Sequence, residues 1–102
     1  MTTAEARDRV DAARARAERR WRGTPWRRNA EIPGTVLRHG GYRLPSDVRA
    51  GLDRALERGA LTLRGYDRVL RVAWTMADLA GRDRPGMDEV GRGLLLRTGA
   101  AR

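Results

Sequence analysis

At 102 residues the chain has room for one small domain with a modest core. Hydrophobic residues make up 40% and charged ones 34%, a globular balance, and the formal net charge of +9 rests on 22 arginines and not one lysine. The missing lysine excludes a phosphate-binding P-loop, which needs G-x-x-x-x-G-K-[ST], and the missing cysteines exclude disulfides, zinc fingers and thiol chemistry.

Residues 2 to 22 read as a first helix, with Thr2 and Glu5 at capping-box spacing and a thin apolar seam of Ala6, Val10, Ala13, Ala17 and Trp21. The seam is mostly alanine and is expected to pack weakly. Through Arg28, nine arginines face four acids, an excess of five within the total of +9. Residues 1–28 are therefore set apart as an arginine-rich N-terminal helix. No apolar run here or later approaches the roughly 20 residues of a membrane span, and Met1-Thr2-Thr3 does not open a signal peptide, so the chain is read as cytoplasmic, with no membrane partner.

Residues 29–45 form a connecting segment, broken by Pro33, Gly40-Gly41 and Pro45 yet holding Ile32, Val36 and Leu37, so it is expected to lie against the bundle with a helical turn near Gly34 to Arg38. Asn29 is read as a local cap. His39 has no second histidine and no carboxylate pair beside it, so no metal or catalytic site is assigned. Ser46 opens the next helix, with Val48, Leu52, Ala55 and Leu56 inward and Gly59 placed to end it in left-handed geometry. A two-residue connection then makes this helix and its successor antiparallel neighbours.

The longest periodic stretch is Leu61 to Arg84. Tyr66, Val69, Leu70, Ala73, Met76, Ala77 and Ala80 recur at three and four, one buried face, while Arg64, Arg68, Arg71, Thr75, Asp78 and Arg82 share a polar stripe. With Thr62 as N-cap, Arg64 falls in the first turn, against the positive end of the helix dipole, where an acid is favoured by about 0.3–1 kcal/mol. Arg64 is then either a solvated side chain or, with the free N–H groups, a holder of an anion such as phosphate. After Gly81 and Pro85 a last helix runs from about Met87 to Arg97, weakened by Gly91 and Gly93 and so dependent on tertiary contact; residues 99–102 are expected to fray. Residues 46–98 are thus read as a helical bundle, and the chain as a whole as all-α, a small bundle of three or four helices.

The run L-T-L-R-G-Y-D-R-V-L-R-V-A-W-T-M-A-D-L-A-G resembles the C-terminal signature of the Mg-chelatase-like AAA+ ATPases of the ChlI and ComM (YifB) type, L-S-x-R-G-x-x-R-V-L-R-V-A-R-T-x-A-D-L. Arg20-Trp21-Arg22-Gly23, Asn29-Ala30-Glu31-Ile32-Pro33-Gly34 and Arg97 extend the likeness over most of the chain. It departs at Trp74, where many members carry arginine, and Trp74 and Tyr66 are read as packing residues. The resemblance implies an AAA+ C-terminal lid fold in which Arg64 is the sensor-2 arginine reaching the phosphates of ATP. Arg68 and Arg71 lie on the same face for phosphate or subunit contacts, or as solvated structural residues. It implies ATP and Mg for a parent ATPase, with the AAA+ core domain and neighbouring subunits of a ring oligomer as partners. The chain itself, lacking Walker A and an acidic Walker B pair, is expected to be no enzyme alone and to hold no cofactor by itself. The alternative is a small arginine-rich DNA-binding module of helix-turn-helix type with Arg64, Arg68 and Arg71 facing DNA, against which stand the carboxylates of Asp67 and Asp78 beside that face. The charge alone predicts weak, sequence-independent DNA binding that salt removes.

Overall fold

The computed structural model describes residues 1–98, and the tail read as frayed, 99–102, lies outside them. Five α-helices succeed one another: α1 (Thr3–Arg20), the single turn α2 (Gly34–Leu37), α3 (Ser46–Glu57), α4 (Leu63–Leu79) and α5 (Met87–Thr98). Two 3₁₀ turns, Asn29–Glu31 and Gly40–Tyr42, flank α2, and no strand occurs among the described residues. The fold is all-α, with four longer helices and the one-turn α2 tucked into the connection.

Local chemistry accounts for the helix ends. At α1 the Glu5 amide donates to Thr2 Oγ1 and the Thr2 amide to a Glu5 carboxylate oxygen, both at 3.1 Å, the reciprocal pair read from the sequence. At α3 and α4 the chain leaves the helix through Gly59 (φ +77°) and Gly81 (φ +75°). Each stop is closed by two reversed backbone bonds: Gly59 N to Leu56 O and Ala60 N to Ala55 O in the first, Gly81 N to Asp78 O and Arg82 N to Ala77 O in the second. Only glycine enters that left-handed turn without strain.

Helix α4 is the hub. Tyr66, Val69, Leu70, Ala73, Trp74 and Ala77 are buried on it, and α1, α2, α3 and α5 all pack against it. The close approach of α5 explains a glycine that helix propensity disfavours. A Cβ at Gly93 would lie 3.2 Å from Val69 Cγ1 and 3.3 Å from the Val69 carbonyl oxygen, so the two backbones touch there, whereas Gly91 faces open space. Helix α1 docks more firmly than its alanine seam suggests. Ala13 and Ala17 are buried, and Trp21 at its end is 1% exposed, its ring 4.7 Å from that of Tyr42, which lies 6.0 Å from Trp74. Trp74 and Tyr66 are packing residues.

The polar stripe of α4 does not keep one environment. Asp78, read as part of an exposed face, is 2% exposed and lies under α1.

Candidate functional site

Thr62 caps α4 with its hydroxyl on the Gly65 amide at 3.0 Å, which holds Arg64 in the first turn as the sequence implied. From there Arg64, Arg68 and Arg71 step along one side of the helix at spacings of four and three. Arg97 from α5 and Ala30 from the first 3₁₀ turn join them. Together with Val72 these residues line one cleft of about 410 Å³. Arg97 stands close over the helix start: a Cβ at Gly65 would meet its Nε at 3.4 Å.

No carboxylate lines the cleft. Arg64, Arg68 and Arg97 are exposed and form no ion pair among the described residues. Arg71 is half-buried and anchored, its Nε donating to the Ile32 carbonyl at 2.8 Å. The neighbouring acid Asp67 is turned elsewhere, 2.8 Å from Arg38 Nε. Four guanidinium groups around one concavity, with acids held off it, focus a positive potential and suit an anion with several oxygens. The structure therefore gathers all three arginines singled out in the sequence and adds Arg97, which sequence reading placed only at the end of the last helix. Helical spacing relates residues of one helix and says nothing of a partner helix.

The opposite end of the stripe is a closed ionic network. Arg20 grips Asp78 with both terminal nitrogens, at 2.9 and 2.5 Å, and its guanidinium lies 4.6 Å from the centre of the Trp74 ring. Asn29 completes the group. Its Nδ2 donates to Asp78 Oδ2 at 2.8 Å and to Thr75 Oγ1 at 3.2 Å, and its Oδ1 accepts from Trp21 Nε1 at 2.9 Å and from Arg20 at 3.2 Å. Asn29, read as a local cap, is thus a tertiary joint, 5% exposed. The carboxamide exchanges donors and acceptors across three segments far apart in sequence, which no local pattern reveals.

A third polar group is half-buried between α3 and α4. The Tyr66 hydroxyl donates to Asp53 Oδ1 at 2.6 Å, and Arg49 holds the other oxygen at 3.0 Å. Burial, then the bond to Asp53, pushes the Tyr66 hydroxyl up from 10.0 to about 12. Among the described residues no group of His, Asp and Glu gathers that could hold a metal ion. No described helix is long and apolar enough to cross a membrane.

Fold and cleft together define a class: a small helical module with an arginine-lined cleft at the start of its central helix. The family described as "Magnesium chelatase, subunit ChlI C-terminal" matches residues 1–97, and the chain belongs to it. An uncharacterised protein of Mycobacterium bovis and uncharacterised proteins of two strains of Mycobacterium tuberculosis are each 50% identical to it over 102 residues. That alignment takes in 99% of this chain and 20% of each relative, so the chain spans about a fifth of the length of these curated relatives. No solved structure matches.

Proposed function

We propose that this domain is the nucleotide-sensing lid of a Mg-chelatase-like AAA+ ATPase, with Arg64 as the sensor-2 arginine and Arg68, Arg71 and Arg97 lining the same phosphate-facing cleft. The observation that carries this is the cleft itself: three arginines without an acidic partner among the described residues, a fourth fixed by a backbone carbonyl, and no carboxylate in the lining. The donor set fits the phosphates of ATP and does not fit a metal, so Mg would be held by the parent's core. ATP bound there supplies a phosphoryl group with several charged oxygens. Arg64 donates a planar fork of N–H groups to such oxygens and stays charged while doing so. Arg97 and Arg68 add charge on either side, and Arg71, tethered at Nε, keeps its remaining N–H groups for the cleft or a neighbouring subunit. Without a P-loop lysine, the chain alone is expected to turn over no ATP above background.

The helix-turn-helix alternative draws less support. The carboxylates that argued against it are paired away from the arginine row, Asp67 with Arg38 and Asp78 with Arg20. What argues against it now is that α4 is the most covered helix, its arginine row walled by Ala30 and Arg97, so it does not protrude as a helix entering a major groove would.

The test is the Arg64→Ala change made at the matching position of a full-length relative that carries a Walker A motif. ATP turnover is expected to fall about 100-fold or more, the loss expected of a charged donor aimed at developing phosphate charge, with the melting temperature unchanged. Unchanged turnover in that folded variant returns Arg64 to the solvated surface.

A further inference from the structure

One contact holds the Arg71 side chain in the wall of the cleft and a second holds its backbone, and both lead back to one residue, Asn29. The first runs through the backbone: Arg71 Nε donates to the Ile32 carbonyl, which lies at the end of the turn that Asn29 begins. The second runs through α4: Asn29 Nδ2 donates to Thr75 Oγ1, and that hydroxyl donates at 3.1 Å to the Arg71 carbonyl. Ala30, the residue after Asn29, itself lines the cleft. Asn29 has no spare hydrogen-bonding capacity, with both amide hydrogens and both oxygen lone pairs engaged by Trp21, Arg20, Thr75 and Asp78.

We infer that Asn29 is the positioning residue of the arginine cleft, coupling the docking of α1, through Arg20 and Trp21, to the placement of Arg71 and of the Ala30 wall. This rests on the reading of the cleft as a phosphate site. A carboxamide suits the task because it accepts from one helix while donating to another, which neither a carboxylate nor an aliphatic side chain of that size does. When α1 lifts, Asn29 loses its two donors, Arg20 and Trp21, and is held by Asp78 and Thr75 alone, which loosens the turn that sets the Ile32 carbonyl against Arg71. Helix α1 thereby controls the cleft without touching its ligand.

The probe is inorganic triphosphate, titrated into the full 102-residue chain while the Nε–H resonances of the arginines are tracked by NMR. In the unaltered chain the Arg71 Nε–H is expected to exchange slowly with solvent and to shift on titration. Thr75→Val, at an exposed position, keeps the fold and removes the hydroxyl link. It is expected to weaken triphosphate binding about three- to tenfold, the effect of one lost hydrogen bond, and Thr75→Ser to restore it. Asn29→Ala is expected to weaken binding further and to abolish the slow exchange of Arg71 Nε–H. With Arg71 already replaced by Ala, Thr75→Val is expected to cost nothing more, because its effect passes through Arg71. Binding as strong as that of the unaltered chain in a folded Thr75→Val, or equal losses with and without Arg71, overturns the role of Asn29 alone. Absence of triphosphate binding in the unaltered chain overturns the phosphate reading of the cleft and this inference with it.

Discussion

The two ends of the polar stripe on α4 carry similar chemistry in opposite surroundings. Toward the N-terminus, Arg64 and Arg68 face solvent across a cleft with no acid in it. Toward the C-terminus, Asp78 is sealed beneath α1, bound by Arg20 and Asn29. The difference comes from what each helix neighbour brings. Helix α1 delivers a guanidinium and an indole N–H to its end of the stripe, and α5 delivers to the other end a further positive charge, Arg97. Buried ionic groups stay in a core only when every polar atom is matched, and the Asn29 carboxamide supplies the matches that Arg20 and Asp78 alone leave open. Exposed like charges repel one another, and a row of them kept together around a concavity costs some stability that a bound anion would return.

The largest test of that contrast is Asp78→Ala. It leaves the Arg20 guanidinium, whose side chain is 11% exposed, without a countercharge, and is expected to cost about 3–5 kcal/mol in a denaturant titration. A loss below about 1 kcal/mol would mean that water reaches this network freely and that the two ends differ little. Leu70→Ala, at a position 2% exposed in the apolar part of the same helix, is expected to cost about 2–5 kcal/mol and gives the scale against which the ionic network is compared.

The half-buried pair of Tyr66 and Asp53 lies between these extremes. The Tyr66 hydroxyl ionises at about 12 in the folded chain and near 10.0 when unfolded, so the folded state keeps its proton where the unfolded state has lost it. Its contribution is therefore complete below pH 10 and is lost as pH rises toward about 12. Tyr66→Phe is expected to flatten the fall in melting temperature across that window, and an unchanged slope would show that Tyr66 is not its source. Smallest of all is Arg64→Ala, expected to change stability by no more than about 0.5 kcal/mol, and in the stabilising direction, since it removes a cation from the positive end of a helix. A clear destabilisation, read from the same denaturant titration, would place Arg64 among the structural arginines with Arg20.

Period, caps and stops were legible residue by residue: the Thr2 and Glu5 pair, the Thr62 cap, the glycines at 59 and 81 and the apolar face of α4 each act within a few residues of chain, so local pattern suffices to read them. The run from Leu61 onward also carried the family, which matches residues 1–97. What tertiary structure alone decided was which charges meet. Asp78 and Arg68 occupy one stripe and look alike in sequence, yet one is covered by α1 and the other faces solvent. Asn29 reaches partners 8 to 49 residues away. Arg97 joins Arg64 because Gly93 lets α5 approach the backbone of α4, where any side chain would press on the Val69 carbonyl. Helical period sets the direction of a side chain around its own axis; only the packing of a second helix, limited here by the absence of one Cβ, determines whether that direction ends in water, in a countercharge or in another arginine.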